Sequence, residues 1–412
     1  MPVLFFCALI AGCSSARVSD HEADDLFRSG QYEAAATHLR KGVLDQGDGG
    51  RDALLYLLDE GLALHAAGKY AESNKVFQKA DRIAEIKDYT SIATEAATLL
   101  TSENIKSYKG EEFENVLISA YLAMNYALMS DYENAAVEAR RVNRKLELMV
   151  SQGGRKYQQN AFARYLSAIV HEAEGEWNDA YIDYKKTYDL VPGFPGLGRD
   201  LWRTAGIVGI RDQMEEWREK FGLSKDDLKE AKRIAPKSEG GKGAAEIIVI
   251  YQNGISPVKK PNPAWNSLPR FVPRFNPVRT ARIEINGEVK GTTAVLHDIE
   301  AIAIENLEEK NGGMIAKKVG GVIAKEVLAR QIEERTNSPL LGLLARVTMY
   351  ASDQADLRSW NLLPRDLEMA RFAVEPGTYT VRALPVGVGP LPEKTIQVQA
   401  GQKVFVNFRY MP

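Results

Sequence analysis

Cysteine is nearly absent. Two occur in 412 residues, Cys7 and Cys13, and both lie in the first thirteen. The body of the chain therefore has no disulfide framework, no cysteine zinc site and no thiol nucleophile. Histidine is scarce too: His21, His38, His65, His171 and His297. None pairs with another at metal-ligand spacing, and "HEAEGE" at His171 lacks the second His of an HExxH motif. There is no GxSxG elbow, P-loop or dinucleotide fingerprint. "GGKG" at 240–243 lacks the P-loop spacing. Nor is there an excess of either charge: 53 Lys and Arg face 55 Asp and Glu, for a net charge of −2. That balance gives no general pull toward polyanions. The expectation is a non-enzyme with no metal, no cofactor and no nucleic-acid partner. The one acid–base cluster, Asp353, Asp356 and Arg358 in "SDQADLRSW", reads as a helix terminus with a buried Arg–Asp pair.

What is present begins at the N-terminus. Val3 to Ile10 is an apolar run long enough for a signal-peptide core and too short to span a bilayer. Ile10-Ala11-Gly12-Cys13 follows and resembles a bacterial lipobox. The resemblance implies cleavage after Gly12, a diacylglyceryl group on Cys13, and a tether over 13–19. Ser14 after the Cys implies outer-membrane sorting by similarity to enterobacterial lipoproteins. No Lys or Arg precedes the apolar run, which departs from the usual secretory pattern. Several acyl chains, at about 0.8 kcal/mol per buried methylene, anchor a protein stably.

Residues 20–235 are patterned as helices. A local signature recurs at Gly30-Gln31-Tyr32, Gly68-Lys69-Tyr70, Asp131-Tyr132 and Gly175-Glu176-Trp177, each followed by a small residue that lets the next helix approach. This looks like the turn of tetratricopeptide (TPR) repeats. The aromatics lie 38, 62 and 45 residues apart, so an irregular α-solenoid is expected. Such a solenoid offers a concave surface for a protein partner, although the aromatics themselves read as packing. Residues 236–243 form a Gly- and Lys-bearing linker.

From 244 to 412 the period changes to that of strands. Candidates are 246–251, 281–285 with an Asn286-Gly287 turn, 299–304, 370–374, 378–384, 395–398 and 404–410. The fold class is therefore α+β: a TPR-like solenoid followed by a β-sandwich-like domain, with a helical hairpin inserted at about 311–356. In that insertion Leu340, Leu343, Leu344 and Val347 have helical spacing, and the hairpin is expected to pack on the sheet or the solenoid. The stretch "SPVKKPNPAWNSLPRFVPRFNPV", 256–278, is rich in proline. From 252 to 283 no acid occurs, yet Lys259, Lys260, Arg270, Arg274, Arg279 and Arg282 do, interleaved with Trp265, Phe271 and Phe275. Lys259, Lys260, Trp265, Arg270, Phe271, Arg274 and Phe275 are the candidate site for an anionic lipid or glycan, or for a partner's acidic face. The alternative is an ordered loop pinned by its aromatics.

Three stretches, "YKGEEFENV" (108–116), "MNYALMSDYENAAVEARRVN" (124–143) and "QADLRSWNLLPRDLEMARF" (354–372), resemble a family of uncharacterised proteobacterial lipoproteins with a TPR-like part and a C-terminal β domain. The resemblance covers most of the mature chain and carries no catalytic motif. It implies a role in envelope or cell-wall assembly; the lipobox, the repeats and the lack of a catalytic motif together lead to the expectation of a lipid-anchored envelope adaptor with a protein partner.

Overall fold

The helical half is built on one turn used six times. The computed structural model describes residues 20–93, 107–153, 160–235, 243–344 and 354–412, with no side-chain description for 86–93, 149–153 and 316–325. Cys13 and the lipobox lie outside the described residues. At Gly30, Gly68, Ser130, Gly175, Gly209 and Gly222 the backbone takes a φ between 59° and 81°. At each, that residue's N–H donates to the carbonyl three residues back, and the next N–H donates to the carbonyl five back. Gly30 to Phe27 with Gln31 to Leu26 is the first instance, and Gly222 to Glu219 with Leu223 to Arg218 is the last. The bonds satisfy the carbonyls a helix end leaves open. At the third turn Ser130, not Asp131, takes the left-handed position; Asp131 accepts from the N–H of Asn134 instead.

The turns join helices in pairs: α1 (His21–Arg28) and α2 (Tyr32–Gln46), α3 (Ala53–Ala66) and α4 (Tyr70–Ala93), α5 (Glu112–Leu128) and α6 (Tyr132–Gly153), α7 (Ala161–Glu174) and α8 (Trp177–Leu190), α9 (Leu197–Ile207) and α10 (Arg211–Lys220). A last helix, α11 (Lys225–Ile234), ends the stack. The fifth pair lacks the aromatic signature because Ile210-Arg211 stands where the others carry Tyr or Trp. Burial separates two rows. Nearly every residue of α3, α5 and α7 is buried, whereas α2 and α8 bury one face. A helix buried all round has neighbours on every side. The outer row supplies one side, and the C-terminal half supplies the other.

Among the described residues that half has ten strands: β1 (Ala245–Asn253), β2 (Val258–Asn262), β3 (Trp265–Val272), β4 (Ala281–Ile285), β5 (Glu288–Thr292), β6 (Ala294–Asp298), β7 (Asp366–Val374), β8 (Gly377–Pro385), β9 (Lys394–Val398) and β10 (Lys403–Arg409). One sheet has the order β10-β1-β7-β6, a second β5-β4-β8-β9, and β2-β3 is a separate hairpin. In the first sheet β10 runs parallel to β1, and β7 antiparallel. The first sheet is covered on both faces. Ile248, Ile250, Leu367, Met369 and Phe405 join the core of the helices, while Ile247, Val249, Tyr251, Val374 and Val406 share a second core with Ile283, Val381 and Ala383 of the other sheet. This is why β1 reads as an unbroken apolar run.

Two expectations are corrected. Residues 299–304 are not a strand. They begin α12 (Ile299–Thr336), whose N-cap Asp298 accepts from the N–H of Ala301 at 2.9 Å. The alternation of "IEAIAI" hid a helical face, Ile299, Ile302, Ala303 and Leu307, which is buried. The insertion thus starts at 299 rather than about 311, and α12 continues unbroken past Gly312 and Gly313 to a left-handed Asn337. Helical turns resume at Pro339, where Leu340, Leu343 and Leu344 are exposed, and Val347 lies outside the described residues. The second correction concerns 256–278. It is not a loop but contains the β2–β3 hairpin, with Pro261 opposite Pro269. A two-stranded ribbon has open edges that tolerate prolines.

The two halves are locked by a buried ionic cluster. Arg371 of β7 lies 2.8 Å from Glu246 of β1, 3.4 Å from Glu172 of α7 and 3.2 Å from Asp200 of α9. Lys403 of β10 reaches Glu172 at 2.7 Å and also Glu246. Arg203 of α9 pairs with Glu172 and with Asp200, the latter at 3.1 Å. Tyr184 donates to Glu172 at 2.6 Å and Tyr165 to Asp200 at 2.7 Å. Three cations meet three carboxylates, and the sum is neutral. Burial pushes Glu172 up, but Arg203, Lys403 and Arg371 hold it well below the usual range. Breaking one member leaves uncompensated buried charge. Arg371→Ala is expected to cost about 3–5 kcal/mol in urea unfolding followed by circular dichroism. A loss below about 1 kcal/mol would show that the cluster is not a lock.

Candidate functional site

The inner wall of the solenoid is the surface a partner was expected to use. It is occupied by the chain itself. Residues 354–365, which lead from the insertion into β7, run along α3 and α5. Leu362 donates its backbone N–H to Asp59 at 3.3 Å, and Trp360 donates its own to Glu114 at 2.8 Å. The Trp360 ring packs 5.7 Å from both Phe77 and Tyr121 and is 1% exposed. Burying about 200 Å² of indole at ~25 cal/mol per Å² is worth roughly 5 kcal/mol. Arg358 holds Asp356 with paired contacts at 2.8 and 2.6 Å and reaches Asp52 of the solenoid at 2.9 Å. The Arg–Asp pair expected from the sequence is thus present, and it is sealed against the ring of Tyr108. Asp353 lies outside the described residues.

A second contact fills the middle of the wall. His65 of α3 has Nδ1 2.5 Å from Asn125 Oδ1 of α5. Its Nε2 faces the amide nitrogens of Gln252 and Asn407, at 2.6 and 3.0 Å. Two amide donors at Nε2 require the proton on Nδ1. Burial lowers the imidazole to about 4, so His65 is neutral at pH 7. Tyr121 donates to Gln252 at 2.9 Å, which ties β1 to α5 again.

The basic stretch 256–278 divides in two. Lys259 is buried and pairs with Glu111 of the solenoid. Arg274 donates to the Ser256 and Asn361 carbonyls at 2.6 and 2.5 Å. Phe271 packs edge-on against Phe113 at 6.4 Å. These three are used inside the molecule. Lys260, Trp265, Arg270 and Phe275 are exposed, Phe275 at 84%. Lys260 and Arg270 stand directly opposite each other across the hairpin. Among the described residues no ion pair reaches either one.

Other titratable groups are internal. Glu368 sits between the two sheets, accepts from Asn253 at 3.0 Å and from Thr293, and is pushed up to about 9 by burial and by Asp366. Among the described residues one set of metal-type donors converges: His171, Glu176 and Asp179, within 4.8 Å of one another. His171 Nδ1 already lies 2.5 Å from Glu176, across the α7–α8 turn, and Arg140 lies 3.7 Å from the same carboxylate. A turn-closing hydrogen bond accounts for that geometry. No described helix is long and apolar enough to cross a membrane.

No protein-family model matches the chain, and no curated protein matches its sequence. Solved structures of TPR-like repeat proteins do resemble it. MamA is 15% identical with a TM-score of 0.34, covering 51% of this chain and 96% of its own. MamA from Desulfovibrio magneticus RS-1, residues 41 to the end, is 16% identical with a TM-score of 0.32, covering 52% and 92%. A Podosopora anserina protein with nearly identical TPR-like repeats is 13% identical with a TM-score of 0.34, covering 52% and 92%.

Glu114 links the wall to pH. Burial and then Glu111 push its carboxyl up to about 7, while Glu111 is itself held low by Lys259 and Lys310 against its own burial. An acid raised on folding binds its proton more tightly in the folded state. Its stabilising effect is complete below about 4.5 and is lost as pH rises through about 7. Glu114→Gln keeps an acceptor for Trp360. It is expected to flatten the decline in unfolding free energy between those two values by on the order of 3 kcal/mol. Parallel profiles for the two proteins would refute this assignment.

Proposed function

We propose that the protein is a lipid-anchored scaffold of the bacterial cell envelope, held at the outer membrane through Cys13, which carries a protein partner on its outer surfaces. The filled inner wall carries this reading. A solenoid whose groove is part of its own core is a rigid platform, and TPR-like repeats serve protein–protein interaction. The β domain, read as a sandwich-like unit, positions the platform rather than acting on a substrate. The lipobox resemblance supports the anchor, and the resemblance of 108–116, 124–143 and 354–372 to proteobacterial lipoproteins supports a role in envelope or cell-wall assembly.

The outer helices offer apolar side chains for such a partner: Leu44 on α2, Val137 on α6 and Ile182 on α8 are exposed. Photo-crosslinkers at Val137 and Ile182 are expected to capture one envelope protein in cells, and a crosslinker at buried Leu58 is expected to capture none. Cys13→Ala is expected to move the protein from the membrane to the soluble fraction and to abolish the capture. Membrane retention of that variant removes the anchor; crosslinks confined to the chain itself remove the scaffold.

One observation favours a second reading, an anionic ligand on the β2–β3 hairpin. Like charges directly opposite across two strands are destabilising, and Lys260 and Arg270 keep that arrangement beside the exposed Trp265 and Phe275. Vesicles containing phosphatidylglycerol are expected to bind the wild type and to lose most of that binding in Lys260→Glu/Arg270→Glu, with a steep fall as salt rises. Equal binding by both proteins ends this reading.

A further inference from the structure

β7 is longer than the strand beside it. β1 runs along all nine of its residues, Asp366 to Val374. On the other side β6 pairs only with Asp366 to Met369. The chain before β6 is β5, which belongs to the second sheet and pairs with β4. The continuous stretch from β5 to β6 changes sheets at Thr293, whose N–H donates to Ala281 at 2.9 Å. Among the described residues the upper part of β7, Ala370 to Val374, therefore has a strand on one side only.

A cleft of about 490 Å³ lies along this open side, between α11, the β4–β5 hairpin and β7. The Ala373 carbonyl marks its direction, because it accepts from Arg233 of α11 at 3.3 Å. In an extended strand, N–H and C=O groups of alternate residues point the same way. Arg371 and Ala373 thus both turn their backbone groups away from β1, and Ala373 lines the cleft. Arg233 is a half-exposed side chain, paired at 3.3 Å with Glu375. A displaceable arginine is the cover that the described residues provide for Ala373.

We propose that the open edge of β7, from Arg371 to Ala373, takes an extended segment of a partner protein as an added strand. Backbone N–H and C=O groups at a sheet edge select an extended chain over any compact ligand. The walls specify its side chains. Toward α11 the cleft presents Glu230 and Arg233; toward the second sheet it presents Ile285, Phe372 and Tyr379, beside Glu288 and Lys290, which pair with each other. An added strand alternates between those directions. The fitting segment has polar or charged residues at one set of alternate positions and an apolar residue at the other. This site is independent of the lipid anchor, the outer helices and the β2–β3 hairpin.

The test uses the full chain. Amide exchange in the free protein is expected to be faster at Arg371 and Ala373 than at Phe372, whose groups face β1. A displayed library of random linear peptides is then selected on the protein, and the selected peptide is expected to slow exchange at those two amides. Ala373→Pro removes the edge donor at a position where a sheet edge accepts proline. It is expected to weaken peptide binding about tenfold or more with the melting temperature retained. If that variant misfolds, N-methylation of the peptide at alternate backbone nitrogens reads the same bonds on the wild type, with the same expected loss. The proposal is overturned by slow exchange at Arg371 and Ala373 in the free protein, by a library that yields no binder, by binders that leave these amides unprotected, or by binding indifferent to N-methylation. Self-association through this edge, seen as peptide-competed dimerisation, replaces the partner protein with a second copy and overturns it also.

Discussion

Six buried charges at one seam fix how this molecule is assembled. Arg203, Arg371 and Lys403 meet Glu172, Asp200 and Glu246 at the seam between helices and sheet, and all are nearly inaccessible. Each ion alone would cost several kcal/mol to bury. Neutralisation requires all six to arrive together, and they come from α7, α9, β1, β7 and β10. A displacement of β7 by one residue would turn Arg371 toward the second sheet and bring Phe372 to the carboxylates. The cluster therefore sets register and docking angle at least as much as it adds stability. Trp360, His65 and Gln252 reach their places because that register is already set.

With the register fixed, the solenoid's inner wall becomes part of a single core. Phe77, Tyr121, Trp360, Leu367 and Phe405 belong to one continuous apolar cluster that crosses from helices to sheet. The groove that other helical repeats leave open for a guest is closed here from within the same chain. Among the described residues, the exposed apolar and basic side chains lie on the outer row of helices, at the leucines that follow α12 and on the β2–β3 hairpin. The molecule presents rims and edges rather than a groove, which suits a platform more than a receptor for one long peptide.

Much of the fold was legible in the sequence. The turns at Gly30, Gly68 and Gly175 were visible because a glycine and an aromatic mark each of them. The Gly209 turn was not, since its aromatic is replaced by Ile210-Arg211 and only the backbone repeats. The strand pattern of 281–285 and 378–384 survived, as local alternation specified it. The reading of 299–304 failed because "IEAIAI" satisfies both periods over six residues, and Asp298 decides between them only through its cap. The candidate site was half legible. Positive charge without acid from 252 to 283 was read as a binding surface, but Glu111 lies some 150 residues away in sequence and neutralises Lys259 in space. The ionic cluster had no local signal: its members are dispersed from 172 to 403, and an arginine in a strand looks like any surface arginine.

The parallel pairing of β10 with β1 leaves the first sheet incomplete until the segment 403–409 has been made. Synthesis proceeds from the N-terminus, so the described helix pairs emerge before the segment that covers their inner wall. Glu172 and Asp200 wait for Arg371 and Lys403, and β1 stays without its outer neighbour until residues 403–409 appear. The nascent chain is thus a stack of repeats with a bare apolar flank and two acids, Glu172 and Asp200, that share one arginine, Arg203.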